Sequence, residues 1–95
     1  MIIAACKVYL TAEWAGSLKE KRIIVKSITE RVRNKFNVSI AEVEEMDIWQ
    51  RIVLGFACVS NDAVHGDNMA QNILRFIERS TDAVVDFSET EMIRL

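Results

Sequence analysis

Four acidic residues, Glu42, Glu44, Glu45 and Asp47, form the densest group of side chains that could do acid/base or metal chemistry. Alternation along an extended segment would turn Glu42 and Glu44 to one side. Paired carboxylates catalyse only where they converge in a pocket that raises one pKa. An exposed hairpin does not supply such a pocket, so a solvated sheet edge is the expected role. His65, the only histidine, follows Asp62 at helix-turn spacing. No serine or cysteine nucleophile is aligned with it, so no catalytic triad is expected. Cys6 and Cys58 sit inside apolar runs without CxxC or Cys/His spacing. They read as buried, reduced thiols in a cytoplasmic protein, not as a disulfide or metal pair. The expectation is therefore no catalytic residue, no metal and no cofactor.

Binding chemistry is better represented. Seven of the twelve basic residues lie between Lys19 and Lys35, opposed there only by Glu20 and Glu30. The segment carries +5 and the rest of the chain −7, although the total is only −2. On a helix turning about 100° per residue, Lys19, Arg22, Lys26 and Arg33 fall in a stripe roughly 60° wide. Such a stripe can contact successive phosphates of structured RNA, or it can be a solvated face paired with neighbouring carboxylates. Lys21 falls on the core side of the same wheel and must snorkel or meet a carboxylate.

Trp49-Gln50-Arg51 is the second candidate recognition group. An aromatic beside an amide and a guanidinium can stack on a base and hydrogen-bond it. The structural alternative is that Trp49 caps the end of the core while Arg51 pairs with Glu42 or Glu44. Trp14, ahead of the basic segment, is either a lid on the core or an interface anchor.

The elements that must position these groups follow from periodicity. Residues 2–12 alternate as a strand, with Ala4, Cys6, Val8 and Leu10 on one face. Ser17 and Glu20 have capping-box spacing, and a helix follows to about Phe36 with Leu18, Val25, Ile28, Val32 and Phe36 inward. Asn37 is a candidate left-handed exit residue. Residues 38–45 form a second strand whose phase slips, which suggests a bulge near Ile40-Ala41. Residues 49–60 form a third strand, apolar on both faces from Ile52 onward. Ser60, Asn61 and Asp62 offer N-caps for a second helix to about Arg79, with Met69, Ala70, Ile73, Leu74 and Ile77 inward and Gly66 weakening its first turn. Residues 84–95 close the chain as an edge strand guarded by Asp86, Glu89 and Glu91.

That order predicts an α+β, ferredoxin-like β-α-β-β-α-β two-layer sandwich, a single domain over residues 1–95. Right-handed crossovers put both helices on one face of an antiparallel sheet ordered 4-1-3-2. The apolar fraction of 51% is high for 95 residues and leaves apolar surface to spare. On the open face, Ile3, Ala5, Tyr9, Val53, Ala57 and Val59 are relieved chiefly by Lys7, which predicts a homodimer, sheet on sheet. The longest apolar run, residues 52–59, is too short to span a membrane, and no secretory leader is evident.

Ser17-Leu18-Lys19-Glu20-Lys21-Arg22, Arg33-Asn34-Lys35-Phe36-Asn37-Val38-Ser39, Trp49-Gln50-Arg51, Ser60-Asn61-Asp62 and Arg75-Phe76-Ile77-Glu78 resemble, in order and spacing, the YlxP-like family of bacterial proteins of unknown function. The resemblance implies the ferredoxin-like fold. Genes of that family often lie near those for a translation initiation factor and ribosome-binding factor A, which implies ribosome assembly or translation. Ala63-Val64-His65-Gly66 departs from the family pattern, where a stronger helix start is expected. The leading expectation is a non-enzymatic module that meets ribosomal RNA or the small ribosomal subunit through the first helix. The alternative is a homo-oligomeric ligand-binding or regulatory domain with no nucleic-acid role.

Overall fold

A computed structural model describes all residues 1–95. Strand β1 spans Ile2–Thr11, helix α1 Leu18–Lys35, strand β2 Ser39–Glu44, strand β3 Arg51–Ser60, helix α2 Ala63–Ser80 and strand β4 Val84–Arg94. The sheet order is β2-β3-β1-β4, with every neighbouring pair antiparallel. This is the ferredoxin-like arrangement the periodicity predicts, read from the opposite edge. Ala4, Cys6, Val8 and Leu10 of β1 and Ile52, Leu54, Phe56 and Cys58 of β3 pack in one core with Ile28 and Val32 of α1 and Ile73 and Ile77 of α2. Period-two and helical apolar faces meet in a single layer between sheet and helices.

The helix starts are fixed by their caps. Ser17 Oγ accepts the Glu20 N–H at 3.1 Å, and a Glu20 carboxylate oxygen accepts the Gly16 N–H at 2.9 Å. Asp62 caps α2 by accepting the His65 N–H at 3.0 Å, while Ser60 Oγ accepts the Asp62 N–H at 3.1 Å. The start at Ala63 is therefore well made, contrary to the weak turn expected there. Gly66 is buried against Ile2, Ser60 and Ala4, where the helix crosses β1.

Several expected details are corrected. Strand β3 begins at Arg51, so Trp49 and Gln50 belong to the preceding turn. Helix α1 ends at Phe36 in an extended conformation, its N–H bonded to Val32 O at 2.8 Å. Asn37 is not left-handed; the only non-glycine residue with positive φ is Glu45, at 54°. The β2 irregularity lies between Glu42 and Glu44, leaving Val43 as the extra residue opposite β3, two positions later than expected. Its consequence is chemical. Glu42 stands opposite inward-facing Leu54, whereas Glu44 stands opposite Val53 of the open face, so the two carboxylates are on opposite sides of the sheet.

Candidate nucleic-acid interface

The seven cations of the basic segment divide by task. Lys21 is buried, and its Nζ donates to Glu45 O at 2.6 Å and Ile48 O at 2.8 Å, with Glu42 Oε2 at 2.9 Å. The two carbonyls accept hydrogen bonds from the ammonium, and the Glu42 carboxylate stands beside it as a counter-charge. Arg33 donates to Ile40 O at 2.6 Å, sealing a carbonyl on the free edge of β2. Arg31 donates to Ser80 O at 2.9 Å, at the end of α2, and Lys35 Nζ lies 4.9 Å from the centre of the Phe76 ring. Lys26 lies 3.9 Å from Glu30, with both side chains mostly in solvent. Lys19, Arg22, Lys26 and Arg33 are all exposed, so the stripe faces water along the length of α1. Arg33 differs from the other three in having a structural bond to lose.

The β2–β3 turn does not follow either structural alternative. Trp49 is 49% exposed and Trp14 53% exposed, and neither belongs to the core or to the residues packed on it. Ala12 and Ala15, before and after Trp14 in the chain, are the residues of that loop that join the core. Gln50 is exposed, and its carbonyl accepts the Ala12 N–H at 2.8 Å. Arg51 Nε lies 3.3 Å from Glu45 Oε2, so its partner is Glu45 and not Glu42 or Glu44. The tether from Lys21 to Ile48 O fixes the turn against the first turns of α1. The bond from Ala12 fixes it against the loop after β1. Two groups separate in sequence, the basic helix and Trp49-Gln50-Arg51, therefore meet at one end of the molecule. The signal for this was Lys21 on the inward side of the wheel, but its partner carbonyls carry no sequence signature.

On the open sheet face a concavity of about 460 Å³ is lined in part by small residues, Ala5, Ala41, Gly55 and Ala57. Lys7 reaches Glu44 across it, and the Glu44 carboxylate holds the lysine above its usual pKa. Register puts Glu89 opposite Lys7 and Glu91 opposite Ala5, so β4 brings carboxylates to this face. Lys7 is thus not its chief polar relief. Val53 is only 1% exposed, already covered within the chain, while Val59 is 65% exposed. Tyr9 stacks on Phe87 at 4.2 Å between ring centres. Partial burial and then the nearby Glu44 and Glu89 charges raise the Tyr9 pKa. Cys6 and Cys58 are free and buried in the core; burial pushes both thiols up, a donation from Thr90 partly offsetting it at Cys6. Glu42, Glu44 and Glu45 of the acidic cluster are divided among Lys21, Lys7 and Arg51, and no group of three His, Cys, Asp or Glu side chains converges as a metal site. No helix is long and apolar enough to cross a membrane.

Comparison with known proteins agrees with the fold. The designed protein Foldit4 matches with a TM-score of 0.52 at 14% identity, covering 99% of this chain and 97% of that one, a likeness of fold alone. The crystal structure of putative chlorite dismutase TA0507 aligns at a TM-score of 0.47 and 19% identity, over 96% of this chain and 43% of that one, too distant to carry an argument. The uncharacterized protein YlxP of Bacillus subtilis (strain 168) is 46% identical over 77 residues, 81% of this chain and 84% of that protein. Residues 3–89 match the family described as protein of unknown function DUF503. The chain belongs to the DUF503 family, of which YlxP is a relative.

Proposed function

We propose that the chain is a non-enzymatic RNA-binding module acting in ribosome assembly or translation, with α1 as its phosphate-contacting face. The observation that carries this reading is the exposure of Lys19, Arg22, Lys26 and Arg33 along one helix, in a protein whose remaining charge is acidic. An isolated basic face on an acidic molecule orients it toward a polyanion without general stickiness. The gene neighbourhood implied by the family resemblance supplies the ribosomal context. The test is binding to ribosomal RNA and small subunits as salt is raised. Charge reversal at Lys19, Arg22 and Lys26 should lower affinity and flatten the salt slope by about one for each phosphate no longer neutralised. Arg33 is left intact because its reversal would also free the Ile40 carbonyl. Co-sedimentation unchanged by the triple reversal would defeat the reading.

A second reading, a homodimeric binding domain, is supported by the concavity on the open sheet face. From ordinary strand spacing and rise, a face of this kind measures about 19 by 33 Å, roughly 600 Å². That is about the lower limit per partner for a stable interface. The occupant on this reading is a second copy of the chain. The carboxylates on β4 disfavour a twofold that sets β4 on β4. Sedimentation at micromolar concentration tests it, with Ala57→Lys expected to give monomers; a wild-type monomer excludes it.

A further inference from the structure

Trp14 and Trp49 are large apolar side chains outside the core, yet the backbone beneath them is fixed. Ala12, two residues before Trp14, donates to Gln50 O, next to Trp49. Ile48, on the other side of Trp49, is held through its carbonyl by the buried Lys21 ammonium. The Ile48 N–H also closes the turn onto Glu45 O at 3.1 Å. Thr11 and Arg51 form the last register pair of β1 and β3 below both loops. Lys19 and Arg22 are exposed at the start of α1, about 160° and 100° around the helix from the tethering Lys21. The start of α1 and the two loops that carry the indoles thus lie at one end of the molecule.

We propose that this end is a stacking site for unpaired bases of single-stranded RNA, with Trp14 and Trp49 as platforms and Lys19 and Arg22 as phosphate contacts. The proposal rests on the RNA reading above and names the form of RNA taken at this end. Aromatic faces accept any base, and half-exposed indoles on pinned backbone lose little freedom when a base lands on them. Bases inside an A-form duplex are not available to them. Glu13 and Asp47 lie in the same two loops, which directs the charged backbone of the strand toward α1 and its uncharged bases toward the indoles. Glu45 is paired with Arg51, and Glu20, although it accepts the Gly16 N–H, keeps its charge next to Lys19.

Trp14 and Trp49 are the two tryptophans of the chain, so intrinsic fluorescence reports the site directly. The probes are an oligouridylate of about 12 nucleotides, within the span of known single-strand sites, and the same strand annealed to oligoadenylate. The single strand should quench the emission and bind tighter than the duplex. Trp14→Ala and Trp49→Ala should each weaken single-strand binding about 5- to 150-fold, the range stacking supplies. Trp14→Phe and Trp49→Phe should retain most of it, which separates loss of stacking from loss of fold. Alanine variants that bind the single strand like wild type overturn the stacking site. Equal binding of both probes without quenching also removes the stacking site but leaves the basic-helix reading standing. A wild-type protein that binds neither probe nor ribosomal RNA removes both.

Discussion

The Lys21 ammonium lies 2.9 Å from the Glu42 carboxylate, with the lysine only 1% exposed. Glu42 Oε2 is itself buried and has no aligned hydrogen-bond donor, so the charge of Lys21 is what offsets its desolvation. Regular alternation from buried Ile40 turns Glu42 inward to this lysine, and the bulge that follows turns Glu44 to the other face. The pair joins α1 to the β2–β3 turn through charge and through two carbonyl bonds.

Lys21→Met should therefore cost about 3–5 kcal/mol, since it strands a carboxylate and two carbonyls. Urea denaturation measures this. K21M/E42L should be less damaging than K21M alone, because the uncompensated charge has gone too. In K21M, hydrogen exchange should accelerate at the Ile48 amide before the rest of the sheet.

Stability should fall on the alkaline side. Cys6, Cys58, Lys7 and Tyr9 all have pKa values raised by folding. Above about pH 8.5, where an unfolded thiol titrates, the folded protein holds more protons than the unfolded chain, so each unit of pH reduces stability. The contribution is complete below that pH and is lost as pH rises through the folded values. C6A/C58V should be less stable at neutral pH and show a shallower alkaline decline. Rapid thiol labelling of the native wild type would contradict the buried assignment.

Gly66 and Gly55 should respond to alanine in opposite directions. A Cβ on Gly66 meets nothing nearer than 3.6 Å, so Gly66→Ala should stabilise α2 by about 0.5–1 kcal/mol. A Cβ on Gly55 would stand 2.9 Å from Val43 Cγ1, a short β-branched side chain with little room to yield. Gly55→Ala should destabilise by about 1–3 kcal/mol, and Val43→Ala should recover most of it. Thermal melts of the three variants and the double variant decide both.

The fold was legible because nearly every element states its period. Ala4, Cys6, Val8 and Leu10 alternate without interruption, and Ile28 and Val32 recur at helical spacing. What was not legible depends on single backbone offsets. The extra residue proved to be Val43, not one beside Ile40, because either position restores the apolar phase around it. That displacement alone moved Glu42 and Glu44 to opposite faces. Trp49 read as strand because aromatic residues suit strands, whereas the lysine–carbonyl bonds hold its segment as a turn. Glu45 takes the left-handed conformation without being glycine or asparagine, and its carbonyl meets Lys21 in that pose. The four stripe cations share one helix face by their spacing alone, but the bond from Arg33 to Ile40 O depends on which edge of the sheet α1 passes.

The pairing of β1 with β4 runs to the last residues: Met1 N donates to Leu95 O at 2.7 Å and Leu95 N to Met1 O at 2.9 Å. Residues 1 and 95 are thus neighbours across a sheet, and a few glycines and serines can join them as a hairpin joins two strands. A circular permutant opened between α2 and β4, at Thr81–Asp82, keeps β4, β1 and α1 contiguous. It turns the pairing of β1 with β4 from the most distant in the chain into a local one. The same sheet would then be reached with a lower entropic cost of loop closure, and should be reached faster.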